Sequence, residues 1–150
     1  MIEIVTPPRG IDSWGDGAYG ARRGKRTHKG EDYAAWPESV VLNKVAGEVS
    51  KIGFPYPPDD PVKGFLRYVE ILTPNNYRIR YFYVRPMCAV GDYIAKRQAL
   101  GLVQDLRQAY DQKMTPHVHL EILDSSGNPV KPTLYFSNGT DTSNSVGPSA

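Results

Sequence analysis

The sequence predicts a mainly β fold: a single compact domain built on an antiparallel sheet with a groove, long loops and little helix. Glycine, proline and tyrosine are abundant, with 14, 13 and 10 residues among 150. Segments with helical periodicity are scarce, and turn signals recur roughly every 8–12 residues. A chain of this length can bury its own core. We assign residues 1–137 to this domain and the small polar residues 138–150 to a flexible tail.

Short strands are predicted along the chain from alternating apolar residues. Residues 39–53 (SVVLNKVAGEVSKIG) indicate short strands broken at Gly47. Residues 92–103 (DYIAKRQALGLV) are compatible with two short strands separated at Gly101 or with one helix. Residues 105–114 are polar, with moderate helical propensity at best. The middle of the chain is therefore expected to be a succession of short strands.

Residues 67–86 (RYVEILTPNNYRIRYFYVRP) predict a β-hairpin with its turn at Pro74-Asn75-Asn76. Alternation in its second strand places Arg78, Arg80 and Phe82 on one face and Ile79, Tyr81 and Tyr83 on the other. The proline-rich segment 53–64 is predicted to form a wall of the groove. Its Asp59 and Asp60 are interpreted as solvated turn residues rather than a second metal site.

The segment TPHVHLEIL (115–123) predicts a strand with one chemically unusual face. Alternation directs Val118, Leu120 and Ile122 to a core, and it directs His117, His119 and Glu121 to the opposite face. Two imidazoles and a carboxylate would then lie side by side.

Composition excludes several classes of function. The net charge of +2 argues against a nucleic-acid partner or a membrane-surface partner. No apolar run reaches membrane-spanning length, and the amino end MIEIVTPPRG lacks the layout of a secretory signal, so we expect synthesis in a cytoplasm. The single cysteine, Cys88, allows neither an internal disulfide nor a thiolate zinc cluster, and it is interpreted as a half-buried apolar residue.

The third histidine, His28, precedes Asp32 by four residues in RTHKGEDYAA. Two imidazole nitrogens and one carboxylate oxygen suit zinc, and catalytic zinc sites combine three protein ligands with an open position for water. His28, Asp32 and one histidine of the later pair would make such a set, and the other histidine would be available as a base. From the residues alone, chance grouping of the three histidines remains an equal alternative.

These residues resemble the lysostaphin/LytM-type zinc metallopeptidases, which are peptidoglycan endopeptidases. GAYGARRGKRTHKGEDYAA and PHVHLEI match the family's His-x-x-x-Asp and His-x-His motifs. AGEVSKIG, VGDYIAKRQALGLV and GNPVKPTLYF resemble its supporting segments in the same order, from about residue 14 to 136. The resemblance implies one zinc ion held by His28, Asp32 and His119, with His117 as the catalytic histidine. Glu121 would then orient a ligand, or it would be a solvated edge charge.

One departure from the family pattern concerns a further histidine that active members usually carry. Tyr83, in YFYVRP, stands at the corresponding position. A phenol O–H can still donate to an oxyanion, so Tyr83 is assigned a catalytic role with His117. The same segment resembles the leukocyte cell-derived chemotaxins, zinc-binding relatives that act as signalling proteins rather than proteases.

The basic run RRGKRTHK (22–29) surrounds His28. It is interpreted as a solvated loop, as a cationic border that attracts wall-peptide carboxylates, or as a nucleic-acid patch. Arg22, at the family's Gly-x-Arg position, is predicted to bind substrate or to make a structural hydrogen bond.

The resemblance therefore implies a zinc-dependent endopeptidase acting on bacterial peptidoglycan. The expected setting is a phage lysin or a virion-associated protein, which reaches the wall after release or within a particle and has a possible assembly partner there. The alternative is an inactive zinc-binding module that recognises wall peptide or a partner protein.

Overall fold

The structure is a computed structural model of the chain. It describes residues 30–110 and 114–137, and in the first 29 residues it describes only the backbone of five two-residue strands. The strands are β1 (Ile2–Glu3), β2 (Ile11–Asp12), β3 (Gly15–Asp16), β4 (Arg22–Arg23), β5 (Arg26–Thr27), β6 (Glu31–Ala34), β7 (Val40–Leu42), β8 (Gly47–Gly53), β9 (Tyr68–Leu72), β10 (Arg78–Phe82), β11 (Val84–Pro86), β12 (Tyr93–Ile94), β13 (Ala99–Val103), β14 (His117–Leu123) and β15 (Pro129–Val130). A 3-10 turn (Leu106–Gln108) and helix α1 (Pro132–Ser137) are the helical elements of the described residues.

Two sheets carry the fold. The larger has the order β12-β8-β9-β10-β14-β15, with β6 also paired to β14, and the smaller has the order β1-β7-β13-β11. All pairs in the two sheets are antiparallel except the parallel pair β1–β7. The prediction of a mainly β domain with little helix is confirmed.

The core lies between the inner faces of the two sheets. Alternation supplies it, since β14 directs the fully buried Val118, Leu120 and Ile122 to the core, while His119, Glu121 and Leu123 on its other face are only half-buried. The larger sheet contributes fully buried residues such as Val69, Ile79 and Leu120, and the smaller contributes Val41 and Leu100. Within the described residues, no helix is both long and apolar enough to span a membrane.

The local predictions differ from the structure mainly at boundaries. The hairpin 67–86 forms as β9 and β10, which pair from Arg78 opposite Leu72 to Phe82 opposite Tyr68. Gly47 begins β8 instead of breaking a strand. A Cβ there would lie 2.4 Å from the Leu72 carbonyl oxygen, so glycine allows β8 to approach β9 closely. Residues 92–103 form two strands rather than a helix, but Gly101 lies inside β13 instead of separating them. The predicted tail 138–150 lies outside the described residues.

Candidate functional site

Strand register brings Asp32 directly opposite His119. Strand β14 runs between β6 and β10, and His119 pairs with Asp32 on one side and with Phe82 on the other. The Asp32 Oδ1 and His119 Nδ1 atoms are 2.7 Å apart. Both side chains are largely withdrawn from solvent, with exposed fractions of 2% for Asp32 and 12% for His119. Two residues that are 87 positions apart in sequence therefore share one cross-strand site.

Gly30 allows β6 to approach β14 closely. A Cβ at this position would lie 2.2 Å from the Leu120 carbonyl oxygen and 3.0 Å from His119 Cε1. The glycine between the two halves of the His-x-x-x-Asp motif is therefore needed to seat Asp32 beside His119.

The second ring nitrogen of His119 binds another carboxylate. The Nε2 atom lies 2.9 Å from Glu121 Oε2, so the imidazole is held between two acids. Ionised carboxylates only accept hydrogen bonds, and both nitrogens therefore donate when no metal is bound. Burial alone would lower the pKa of His119, but the hydrogen bonds and charges of Asp32 and Glu121 outweigh it and raise that pKa to about 9.

His117 is oriented by a backbone carbonyl. Its Nδ1 atom lies 2.6 Å from the Thr115 carbonyl oxygen, and because a carbonyl oxygen has no proton, Nδ1–H must be the donor. The Nε2 atom then carries the lone pair of the neutral ring. It lies 3.4 Å from Asp32 Oδ2, within the same buried cluster.

Tyr83 lies between β10 and β11 in an uncommon backbone conformation. Its φ angle is +73°, a region that costs a non-glycine residue about 1–3 kcal/mol. Its N–H donates to the Arg67 carbonyl oxygen over 2.7 Å, and its own carbonyl oxygen accepts from Gln104 N–H over 2.9 Å. Its ring meets the His117 ring edge-on, with centroids 5.5 Å apart.

The phenol of Tyr83 remains protonated at ordinary pH. Burial is the largest influence and raises the pKa of Tyr83 well above its usual value, and the neighbouring Tyr110, Tyr56 and Asp32 act in the same direction. Tyr83 can therefore offer a hydroxyl proton but cannot serve as a base near neutral pH.

Comparison with known proteins adds a sequence relative. No protein-family model matches the chain. The chain is 32% identical over 128 residues to leukocyte cell-derived chemotaxin-2 of Mus musculus, covering 85% of this chain and 78% of that protein. This likeness was predicted from the segment around Tyr83.

Solved structures with the same fold include catalytic domains of the lysostaphin type. They include the catalytic domain of the prophage-encoded M23 protein EnpA from Enterococcus faecalis, at TM-score 0.60 and 24% identity, covering 79% of this chain and 87% of that one. The catalytic domain of lysostaphin, the antimicrobial peptidase from Staphylococcus simulans, matches at TM-score 0.62 and 18% identity, covering 82% and 90%. The chain belongs to the lysostaphin/LytM-type family.

The fold also occurs in a solved structure of another kind. The complex of SpoIIIAH and SpoIIQ matches at TM-score 0.58 and 22% identity, covering 79% of this chain and 78% of that one. The lysostaphin/LytM-type fold is thus found in a protein complex as well as in peptidases.

The donor atoms of the site suit the zinc ion that the lysostaphin/LytM-type family implies. Asp32 Oδ1 and His119 Nδ1 converge, and Glu121 binds the remaining nitrogen of His119, as carboxylates commonly do behind a histidine ligand. The third predicted ligand, His28, lies outside the described residues, as does the side chain of Arg22. Within the described part of the chain, no group of three or more His, Cys, Asp or Glu side chains is arranged to hold a metal.

Two groups of residues near the site were not found from the sequence. Arg80 donates to Glu70 Oε2 over 2.7 Å and approaches Glu121 Oε1 at 4.0 Å. Tyr56 and Tyr110 hydrogen bond to each other through their hydroxyls and pack with Tyr83 against a second apolar cluster. Strand alternation could have predicted the first group, because it places Glu70, Arg80 and Glu121 on one face of neighbouring strands. No local pattern in the sequence relates Tyr56, Tyr83 and Tyr110.

Proposed function

We propose that this chain is a zinc-dependent endopeptidase that cleaves peptide bonds in the stem peptides or cross-bridges of bacterial peptidoglycan. The observation that carries the proposal is the convergence of Asp32, His119 and His117 in one buried cluster, with defined orientations for both imidazoles. Membership of the lysostaphin/LytM-type family supports the reaction class.

The zinc would be held by Asp32 and His119 together with His28, with Glu121 behind His119. When bound, zinc polarises a carbonyl group and lowers the pKa of a water molecule. His119 would have to give up the proton that it shares with Asp32 before it could hold a metal ion, so metal affinity would depend on pH.

His117 is the proposed general base. Because Nδ1–H is bound to the Thr115 carbonyl, the Nε2 atom is the one that accepts a proton from the attacking water. The imidazolium formed beside the Asp32 carboxylate is stabilised by that charge over 3.4 Å. His117 can then return the proton to the departing amine.

Tyr83 is the proposed donor to the oxyanion of the tetrahedral intermediate. Its neutral hydroxyl and its position beside His117 suit a group that donates a hydrogen bond without exchanging a charge. Arg22 is proposed to bind a substrate carboxylate. A phage lysin or a virion-associated wall-degrading protein is the proposed setting, with peptidoglycan as the partner.

The second candidate is an inactive zinc-binding module that recognises wall peptide or a partner protein. Two observations favour it. Tyr83 stands where the family pattern has a histidine, and the chain is similar to a chemotaxin. A protein of this class would keep Asp32, His119 and the metal but would not cleave peptidoglycan.

Loss of turbidity of purified peptidoglycan distinguishes the two functions. We expect the zinc-loaded protein to clear the suspension and His117→Ala to clear it about 10²–10⁴-fold more slowly, while both bind one zinc per chain. Tyr93→Phe, which removes an exposed hydroxyl on β12, is the matched control and should retain full activity. No clearing by the zinc-loaded protein, together with clearing after Tyr83→His, would establish the binding module instead.

A further inference from the structure

We propose that Arg67 binds a carboxylate of the substrate, and that the rings of Tyr68 and Phe82 support the substrate between His119 and Arg67. The inference rests on the proposed peptidase function and deepens it, because it gives the substrate class as an acidic peptide. Arg67 and the two rings lie outside the His-x-x-x-Asp and His-x-His motifs that suggested the zinc site.

One row of residues crosses the face of the larger sheet that is turned away from the core. Strand register orders its members from β6 to β8 as Asp32, His119, Phe82, Tyr68 and Gly53. Neighbouring strands lie about 4.8 Å apart, so the three steps from His119 to Gly53 span roughly 14 Å. The row therefore leads from the proposed zinc ligands towards the β8 side of the sheet.

Two aromatic rings form a continuous surface along this row. The Phe82 ring meets the His119 ring edge-on with centroids 5.3 Å apart, and the Tyr68 ring centroid lies 4.8 Å from that of Phe82. Gly53 makes room for the Tyr68 ring, because a Cβ at this position would lie 2.6 Å from Tyr68 Cζ. Both rings are half-buried, so each keeps a part that faces solvent. Aromatic surfaces of this kind line many ligand sites, and an extended peptide can lie across one.

Arg67 lies at the far end of the row, and both its main chain and its side chain are fixed. Its N–H donates to Gln104 Oε1 over 2.9 Å, and its carbonyl oxygen accepts from Tyr83 N–H over 2.7 Å. The Arg67 Nε atom donates to the Gly53 carbonyl oxygen over 3.3 Å. The guanidinium carbon lies 4.0 Å from the centroid of the Phe54 ring. A guanidinium that is already stacked and hydrogen bonded loses little freedom when it binds a ligand.

The terminal nitrogens of Arg67 are oriented but have no acid to bind within residues 30–110 and 114–137, where no carboxylate oxygen lies within 4.0 Å of the guanidinium. Lys51 adds a second positive charge, with Nζ 5.8 Å from the Tyr68 ring centroid. Glu70 pairs with Lys51 in the sheet, but its carboxylate binds Arg80 instead. Because guanidinium groups bind carboxylates through two parallel hydrogen bonds, this end of the row favours an acidic group.

The length of the row predicts where the acidic residue stands in the substrate. An extended peptide advances about 3.3 Å per residue, so roughly 14 Å corresponds to about four residues. A carboxylate about four residues from the scissile bond would reach Arg67 when the peptide lies along Phe82 and Tyr68.

Peptide binding to zinc-loaded His117→Ala tests the site without depending on cleavage. The probes are two dansyl-labelled, amidated glycine–alanine peptides that differ only in one glutamate or glutamine. We expect the glutamate peptide to bind about 10-fold more tightly, and Arg67→Gln to reduce this preference to less than about 2-fold. Arg85→Gln, which removes an exposed guanidinium on the smaller sheet, is the matched control and should keep the preference. An equal preference with and without the Arg67 guanidinium would overturn the proposal, as would the lack of any preference before that substitution.

Charge reversal separates a direct contact from a structural effect of the substitution. We expect Arg67→Glu to reverse the preference, so that a lysine peptide of the same length binds more tightly than the glutamate peptide. Melting temperature and zinc content verify that the variant is folded. A folded Arg67→Glu protein that still favours the glutamate peptide would contradict the proposal.

Cleavage assays separate failure of this site from failure of the proposed function. If the wild type clears peptidoglycan, moving the glutamate along the peptide should give the highest kcat/KM about four residues from the cut, and a profile without a maximum would contradict the proposal. If the wild type clears none but its glutamate preference depends on Arg67, the peptidase function fails and the acidic-peptide site stands. Clearing without an Arg67-dependent preference would overturn this site alone.

Discussion

The two histidines of β14 are held by different kinds of partner. His119 lies between two carboxylates, those of Asp32 and Glu121. Glu121 in turn pairs with Arg80 on the neighbouring strand β10. His117 instead donates to a backbone carbonyl and meets the edge of a phenol ring, that of Tyr83. One side of the site is therefore ionic, and the other is formed mainly by uncharged groups.

This difference corresponds to two chemical tasks. Carboxylates around His119 attract a cation, which is a proton in the metal-free protein and zinc in the proposed enzyme. Uncharged groups around His117 fix a tautomer and a direction, so that a proton moves at one defined atom. Asp32 belongs to both sides, since its two oxygens face the two imidazoles.

Asp32→Asn tests the ionic side and should have the largest effect. The substitution keeps the size of the side chain but removes the charge of a proposed zinc ligand. We therefore expect zinc affinity to fall by more than about 100-fold, which exceeds the loss caused by removing a residue that only hydrogen bonds to a ligand. Competition with a chromogenic chelator measures it. Tyr83→Phe is the matched variant from the uncharged side and should bind zinc as the wild type does. Equal losses in the two variants would remove the distinction between the sides.

The sequence predicted the ionic side well because its chemistry is local or follows strand alternation. The alternation of 117–123 placed His119 and Glu121 on one face, and the structure shows a hydrogen bond between them. Their pairing with Asp32 depended on the resemblance to the family, because no local pattern relates two segments that are 87 residues apart.

The uncharged side was predicted less completely for a physical reason. Alternation along 78–83 grouped Tyr83 with the core residues Ile79 and Tyr81, but the positive φ angle ends β10 and turns the Tyr83 ring towards His117. Tyr110 was found only in the structure, because it and Tyr83 come from segments that are remote in sequence and pack against one small apolar cluster. Strand register can be inferred from periodicity, whereas loop packing has no period.

Glu121→Gln tests a carboxylate of the ionic side that binds His119 rather than the proposed zinc ion. Glutamine can still bond to His119 Nε2 but lacks the charge that makes the imidazole a stronger ligand. We expect zinc affinity to fall about 10–100-fold while the bound protein keeps its fold. Glu48→Gln, at an exposed position on β8, is the control for loss of a carboxylate and should bind zinc normally. Unchanged affinity in Glu121→Gln would mean that Glu121 is only an edge charge.

Glu70→Gln tests how far the ionic side extends. Glu70 is buried on β9, and burial by itself would raise its pKa, but hydrogen bonds from Arg80, Ser50 and Arg78 and the charge of Arg80 lower that pKa below its ordinary value of 4.5. A carboxylate with a lowered folded-state pKa stabilises the protein above its unfolded pKa, and this contribution is lost as the pH falls through the folded value.

We therefore expect Glu70→Gln to lower the free energy of unfolding by roughly 1–3 kcal/mol at pH 7, measured by urea denaturation. Below pH 4.5 the difference from the wild type should shrink, because the carboxylate of the unfolded chain then takes up a proton, and it should vanish once the pH falls below the lowered pKa of the folded carboxylate. Glu48→Gln should cost little at either pH. A difference that stays constant from pH 7 to pH 3 would show that the charge of Glu70 does not matter. The row from Glu70 through Arg80 to Glu121 would then be packing rather than an electrostatic extension of the site.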